Sequence, residues 1–340
     1  MSGSAGLAAD VAVVGAGALG AATAAELAAM GARVLLIDRP GSPNASSVAA
    51  GMLAPAFESV LEEATPERAA LLKGARDLWP ELAARTGVEL IRDGAAWAGP
   101  EPRKMAERLR TLGFKARLKD GKAFTSDDWR LVPSQALAAL IDAPGVRYRR
   151  AQVEGLERSG DGWELACADG EPSRAARVVV ATGVHKTMEG PRALKRTLAR
   201  VSLIKGQIAR VRVTPPPCVL RGEGVYVVPD GTGVLVGATM EPGQRDLLVD
   251  ERVITELIRR ASVLWPPLAT ARAQWARAGV RGATPDGLPL AGEIEDGLFA
   301  ALAPRRNGWL LAAMIARITT ASLSGRKPDE DALRFSPSRF

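Results

Sequence analysis

Apolar and polar positions along the 340-residue chain fall into segments of different period. Residues 10 to 38, "DVAVVGAGALGAATAAELAAMGARVLLID", open with a short β-branched run, Val11 to Val14. They pass through a glycine loop into an alanine-rich stretch ending at Gly31, and close with Val34 to Ile37 and Asp38. That pattern predicts strand, loop, helix, strand. "PERAALLKGARDLWPELAARTG" predicts a further helix packed outside a second sheet, with Leu71, Leu72 and Leu78 as its core contacts. From Val201 to Arg281, alternating runs such as "GQIARVRV" and "VYVVPDGTGVLVGATM" take over. Period two predicts antiparallel strands with one wet face, and "PDGTG" predicts a hairpin. Residues 298 to 318, "LFAALAPRRNGWLLAAMIARI", set Arg305, Arg306, Asn307 and Gly308 between two apolar runs, with a final helix after Asn307. A cation withdrawn from water is costly unless an opposite charge meets it. The interruption therefore asks for an anionic partner, within the chain or outside it.

Composition narrows the class. The length suits two domains or one large α/β unit, and 47% hydrophobic residues supply a substantial core. A net charge of +7 and a pI near 9.8 raise the reading of a basic, nonenzymatic or nucleic-acid-associated protein. Lys and Arg never occur three in a row and acids are interspersed, so no nucleic-acid partner is expected. Cys167 and Cys218 offer neither a CxxC nor a metal-ligand spacing. The one histidine, His185, removes histidine triads and multi-histidine metal sites; it reads as a polar loop residue, and no metal is expected. "MSGSAGLAADVAVVGAG" lacks the charged, apolar and cleavage regions of a signal peptide, and no apolar span reaches 18 residues. A reduced, cytoplasmic setting without a membrane span follows as the expectation, with a homo-oligomer left open.

The first segment carries the chemistry. Gly15, Gly17 and Gly20 form GxGxxG between strand and helix: Gly15 permits the tight turn, Gly17 lets backbone approach a pyrophosphate, and Gly20 lets helix and strand pack closely. The helix N-terminus, through Ala18 and Leu19, offers amides and partial positive charge to phosphates. Asp38 lies where an acid accepts hydrogen bonds from a ribose. The unit predicts a dinucleotide but does not choose between NAD and FAD.

The next stretch, "NASSVAAGMLAPAFES", is small, flexible and hydroxylated where an NAD enzyme would continue with helix and strand. Ser46 and Ser47 can donate to phosphate oxygens, while Ala50, Gly51 and Met52 can lie against a flat ring. "SSVAAGMLAP" after "GAGALGAATAAELAAMGARVLLID" resembles the D-amino acid oxidase family of flavoenzymes, most of all the bacterial glycine oxidases of thiamine biosynthesis. "RVVVATG", "IKGQIARV", "GVYVVPDGTGVLVGATMEPG", "ARAGVRGATPDGLPLAGE" and "RRNGWLLAAMIARI" follow in the family's order.

The resemblance implies an α/β fold: a Rossmann-like FAD-binding domain assembled from residues 1–82, 131–192 and 284–335, and a second, antiparallel-sheet substrate domain from 83–130 and 193–283 that roofs the flavin. FAD is the implied cofactor. Arg39, Val153, Thr182 and Gly183 join the glycine loop, Asp38 and the serine loop in holding it, and Asn307, Gly308, Trp309 and Leu310 present amides to its pyrimidine end. It also implies a substrate site in which Arg281 and Arg306 grip a carboxylate, Tyr226 adds a hydroxyl and Met240 lines the pocket. Both arginines would be compensated by the ligand, and no side-chain base is needed. The implied reaction oxidises glycine, sarcosine or a small D-amino acid to an oxo acid and ammonia, with molecular oxygen giving hydrogen peroxide. A dehydrogenase passing electrons to a quinone or carrier is the alternative. The chain departs from the family in two places: Ala303, Pro304 and Arg305 replace a Gly-His-aromatic triplet, and Trp309 replaces a small aliphatic. Trp309 is thus expected to narrow or reshape the substrate pocket.

Overall fold

The computed structural model describes residues 9–41 and 44–340. The first eight residues, read above for a leader, lie outside them. The chain folds as two large sheets with helices. In the first sheet, the strands Leu290–Glu295, Leu298–Leu302, Ser173–Val180, Ala9–Val14, Val34–Asp38 and Val146–Arg150 lie side by side in that order. The central pairings are parallel, as β-branched runs joined by helical crossovers require. Leu290–Glu295 pairs antiparallel at one edge, and the antiparallel pair Val153–Ser159 and Gly162–Cys167 folds back on Ser173–Val180.

The alanine-rich run forms the helix Ala18–Ala29, capped at Gly17 and followed by Gly31 in the left-handed region. Its small side chains let it nest against the sheet and against the final helix, Gly308–Leu323, with Ala21, Ala22, Ala24 and Ala25 all buried. A Cβ on Gly20 would sit 1.8 Å from the Gly15 carbonyl oxygen, so only glycine allows this approach. The apolar run before the arginines is the strand Leu298–Leu302, and the run after them is the final helix.

The expected helix at 66–87 is two helices, Pro66–Asp77 and Trp79–Thr86, broken at Leu78 and closed by Gly87 at φ 77°. Leu71 and Leu72 are buried and Leu78 packs beside them, but the core they join is that of the first sheet and final helix, not the outside of the second sheet. Trp79 directs this placement. Its indole N–H reaches the backbone oxygens of Trp309 at 3.0 Å and Leu310 at 3.3 Å.

The second sheet runs Ala273–Ala283, Ser202–Val211, Gly233–Gly237, Val225–Asp230, Val219–Gly222, Ala95–Trp97, Lys122–Thr125 and Ala116–Lys119. All of these pairings are antiparallel except Val219–Gly222 with Ala95–Trp97. The expected hairpin is present, with Asp230 opposite Gly233. The wet face is not: Ala209, Val211, Val227 and Val236 pack beneath Ile254, Leu257 and Ile258 of the helix Glu251–Leu264, while Ile208, Val228 and Leu235 face a second core. The alternation in sequence is therefore between two buried faces. The helix Arg192–Ala199, assigned by sequence to the second unit, packs on the first sheet through Leu194 and Leu198.

Candidate functional site

A cavity of about 520 Å³ is lined by residues of both sheets. At one end the strand Ala9–Val14 gives way to Gly15 and the helix at Ala18. Gly15 has φ 108°, and a Cβ there would meet the Ala181 carbonyl oxygen at 2.4 Å. No side chain of the N-cap residue satisfies the helix start; instead the Ala18 amide donates to Ser46 Oγ at 2.9 Å. Asp38 ends its strand on the cavity wall beside Arg39. Burial pushes its carboxyl above the usual range, against the backbone amides of Ala16 and Arg39. Val153, Thr182 and Gly183 line the same end. His185 lines it too, contrary to its reading as a bystander, and burial together with the Arg39 charge pulls its pKa down.

The middle is lined by Ala50, Gly51 and Met52 on one side and Asn307, Gly308 and Trp309 on the other. Gly51 has φ 73°, and a Cβ would strike the Leu131 carbonyl oxygen at 2.2 Å, so this flat wall is fixed by a backbone that tolerates no side chain. The final helix starts here with no side-chain cap and no acid in its first turn, leaving its N-terminal dipole directed at the cavity.

Three expected cofactor residues do not line the cavity. Ser47 donates its amide to Asn44 Oδ1 and its hydroxyl to the Asn44 carbonyl, which caps the short helix Ala45–Val48. The Leu310 side chain lies in the core, which leaves the role expected of its amide untouched, and Gly20 packs helix against strand as its place in the motif predicts. Trp309 lines the cavity and is also fixed from behind. The ring is buried beside Trp79 and donates to the Ser46 carbonyl at 3.1 Å, tying the final helix to the serine loop.

At the other end Tyr226, Met240, Arg281 and Arg306 converge. The Tyr226 ring lies against Gly237, where a Cβ would meet its hydroxyl at 2.3 Å, and burial raises its pKa. Arg281 lies flat on Gly206; a Cβ there would be 2.4 Å from both terminal nitrogens. Nη1 donates to the Thr239 carbonyl at 3.2 Å and contacts Met240 Sδ at 3.3 Å. No carboxylate pairs with Arg281 among the described residues, and burial lowers its pKa. Met240 itself is 40% exposed.

Arg306 departs from expectation. Its charge is met inside the protein by Glu58, with Nε 2.7 Å from Oε2 and Nη2 donating to Oε1 at 3.2 Å. Glu58 is 5% exposed and shared: Arg221, 2% exposed, donates to its Oε1 at 2.7 Å. Burial pushes the Glu58 carboxyl up, but the Arg306 and Arg221 charges together hold it below the usual range, while Glu58 raises the pKa of Arg306. The neighbouring Arg305, which the family pattern does not contain, pairs with Glu62 at 3.1 Å. Glu58, Arg221 and Gly206 are the site residues that sequence reading missed. A lone arginine in the apolar "CVLRGEGVYVV" was the available signal, since a buried cation needs an acid, but nothing in the chain order points 163 residues back to Glu58.

Comparison with known proteins decides the family. A model for the FAD dependent oxidoreductase family (DAO) matches residues 10–322. The chain belongs to that family. Its cofactor is FAD, and the cradle fits one: two helix starts on the cavity wall without an N-cap side chain, an acid at the end of the second strand, and glycines that leave no room for side chains between them. The chain is 30% identical to glycine oxidase of Geobacillus kaustophilus over 379 residues, covering 97% of each. The crystal structure of glycine oxidase from that organism superposes with a TM-score of 0.83 at 27% identity, covering 98% of this chain and 99% of that one. The tRNA 5-methylaminomethyl-2-thiouridine biosynthesis bifunctional protein MnmC of Chromohalobacter salexigens is 31% identical over 88% of this chain, which spans 46% of that protein. The enzyme is thus an FAD-dependent oxidoreductase similar to glycine oxidases. No helix among the described residues is long and apolar enough to cross a membrane, and no cluster of three metal-ligating side chains occurs among them.

Proposed function

We propose that the enzyme oxidises a small α-amino acid, glycine, sarcosine or a small D-amino acid, to an imino acid that water hydrolyses to the oxo acid, releasing ammonia, or methylamine in the case of sarcosine. Oxygen would serve as acceptor and be reduced to hydrogen peroxide, in a cytoplasmic setting and with thiamine biosynthesis as the pathway. The observation that supports this reading best is Arg281, a guanidinium on the cavity wall that makes no ion pair with an acid among the described residues. A substrate carboxylate supplies the missing charge and takes paired hydrogen bonds. Arg306 adds donors, Tyr226 a hydroxyl, and Met240 an apolar wall that favours a small side chain. Bound FAD supplies a two-electron acceptor for the substrate C–H bond. The protein's part is to fix the carboxylate so that the α-carbon has one orientation, and to exclude water around it. Glu58, the nearest acid, is held by two arginines and is not a base for the α-proton. We infer as well that the two sheets belong to two domains, a discontinuous cofactor domain and a substrate domain above it.

Anaerobic addition of glycine, sarcosine and D-alanine to the yellow holoprotein tests the reading. Bleaching by at least one amine, then rapid return of colour with stoichiometric peroxide on admitting air, is expected. Bleaching without peroxide would favour transfer to a quinone or carrier. No bleaching by any amine would refute amino acid oxidation.

A further inference from the structure

A guanidinium offers five N–H donors in a rigid fork, and which edge is occupied decides what the group can still bind. Glu58 stands along the Nε and Nη2 edge of Arg306, accepting from Nη2 at Oε1 and placing Oε2 2.7 Å from Nε as an ion pair, with Glu62 Oε1 farther off at 3.9 Å from Nε. Nothing among the described residues accepts from Nη1, and the side chain is 29% exposed and lines the cavity. Glu58 cannot swing away easily. Its Oε1 also accepts from Arg221, and Arg221 is itself anchored by a contact from Nη1 to Met52 Sδ at 3.1 Å. The helix that carries Glu58, Pro55–Leu61, is fixed at its start by Asp128, whose carboxyl oxygens accept from the amides of Ala56 at 2.7 Å and Phe57 at 3.2 Å. The result is a fixed acid behind a partly exposed cation.

We propose that Glu58 is a positioning residue: it clamps Arg306 from behind so that the unoccupied end of the guanidinium is presented to a carboxylate in the cavity. The proposal rests on the reading that this cavity binds a substrate carboxylate. It makes Glu58 a contributor to ligand affinity although it touches no ligand. The opposite arrangement, in which Glu58 competes with the ligand for Arg306, predicts the reverse response to its removal.

The test is a double-mutant cycle read by calorimetric titration of acetate into FAD-loaded protein, with Glu58→Gln, Arg306→Met and the combination. Glu58→Gln is expected to weaken acetate about tenfold, and the double variant to bind no more weakly than Arg306→Met alone, because Glu58 acts through Arg306. In steady-state oxidation the same substitution raises KM and leaves kcat within about twofold, the sign of lost uniform binding. Acetate affinity equal to or tighter than wild type in Glu58→Gln, or effects of the two substitutions that multiply, would overturn the proposal. Should Glu58→Gln not hold FAD, Glu58→Asp takes its place in the cycle under the same criteria, since the shorter acid keeps its charge but retreats from Arg306. If Arg281→Met and Arg306→Met both bind acetate as wild type does, the carboxylate site itself is wrong, whatever Glu58 does.

Discussion

Replacing Arg281 by methionine removes a buried cavity cation that has no ion pair among the described residues and keeps much of its apolar bulk. In the wild type the guanidinium is held flat on Gly206 and aimed by the Thr239 carbonyl, so a carboxylate meets a group already desolvated and oriented. Each charge-assisted hydrogen bond contributes about 1.5–3 kcal/mol, and truncating one member of a buried hydrogen-bonded charge pair costs about 2–5 kcal/mol. A loss near 3 kcal/mol corresponds to a KM raised about 150-fold. FAD retention should be unchanged, because Arg281 stands at the end proposed for substrate, away from the glycine loop and Asp38. Gly206→Ala is the matched steric probe: its Cβ falls 2.4 Å from both terminal nitrogens, so the guanidinium must move while its charge stays. The displaced atoms are the far end of a flexible side chain, so thermal stability should hardly change. Steady-state kinetics on both variants, with flavin content from absorbance, gives the answer. An unchanged KM in Arg281→Met would refute the argument that its unpaired charge binds substrate.

Gly20→Ala forces a Cβ to within 1.8 Å of a backbone oxygen; it should cost at least the 1–3 kcal/mol typical of overpacking, seen as a lower Tm and loss of flavin on gel filtration. Trp309→Phe keeps the ring beside Trp79 but loses the bond to the Ser46 carbonyl, so FAD should bind about fivefold more weakly by fluorescence titration, from about 1 kcal/mol per hydrogen bond. Burial raises the Asp128 carboxyl to about 7 from an ordinary 3.8. Between those values the folded protein keeps a proton that the unfolded chain has lost, so stability falls as pH rises from about 4 to 7 and levels off above. The contribution is on the order of 4 kcal/mol, and in Asp128→Asn the difference between denaturation midpoints at pH 5 and pH 7.5 should shrink accordingly.

What the sequence made legible was local. The unit from Val11 to Asp38 could be read because strand, turn, helix and acid follow one another within a few residues, and each glycine has a conformational or steric reason to be there. The hairpin at Asp230 and Gly233 was legible for the same reason. Alternation in the second sheet correctly signalled strands but not what covers them, since a face beneath a helix and a face over a cavity both read as apolar every second residue. The helix at 66–77 was found and its neighbour mistaken, because a helix period reports that one side is buried and not against what. The positions of Tyr226, Met240, Arg281 and Arg306 around one cavity came from resemblance; no periodicity joins residues on separate strands. Glu58 was invisible for the opposite reason: in "APAFESV" it looks like a solvated acid at the start of a helix, and only the fold sets Arg221 and Arg306 on either side of it.

The two site arginines thus differ in a way that bears on how a small ligand gains affinity. Arg306 enters the cavity with its charge already met, so a carboxylate gains mainly hydrogen bonds from it and the net electrostatic gain is modest. Arg281 is unpaired and held away from bulk water, and the cost of that desolvation is borne by the fold before any ligand arrives. Its partner therefore gains the larger share. A ligand as small as glycine has few atoms with which to bind, and one preorganised, unpaired cation gives it affinity without demanding further contacts. Two unpaired arginines side by side would repel each other and destabilise the empty protein; Glu58, between Arg221 and Arg306, relieves that repulsion while Arg281 keeps no ion pair among the described residues.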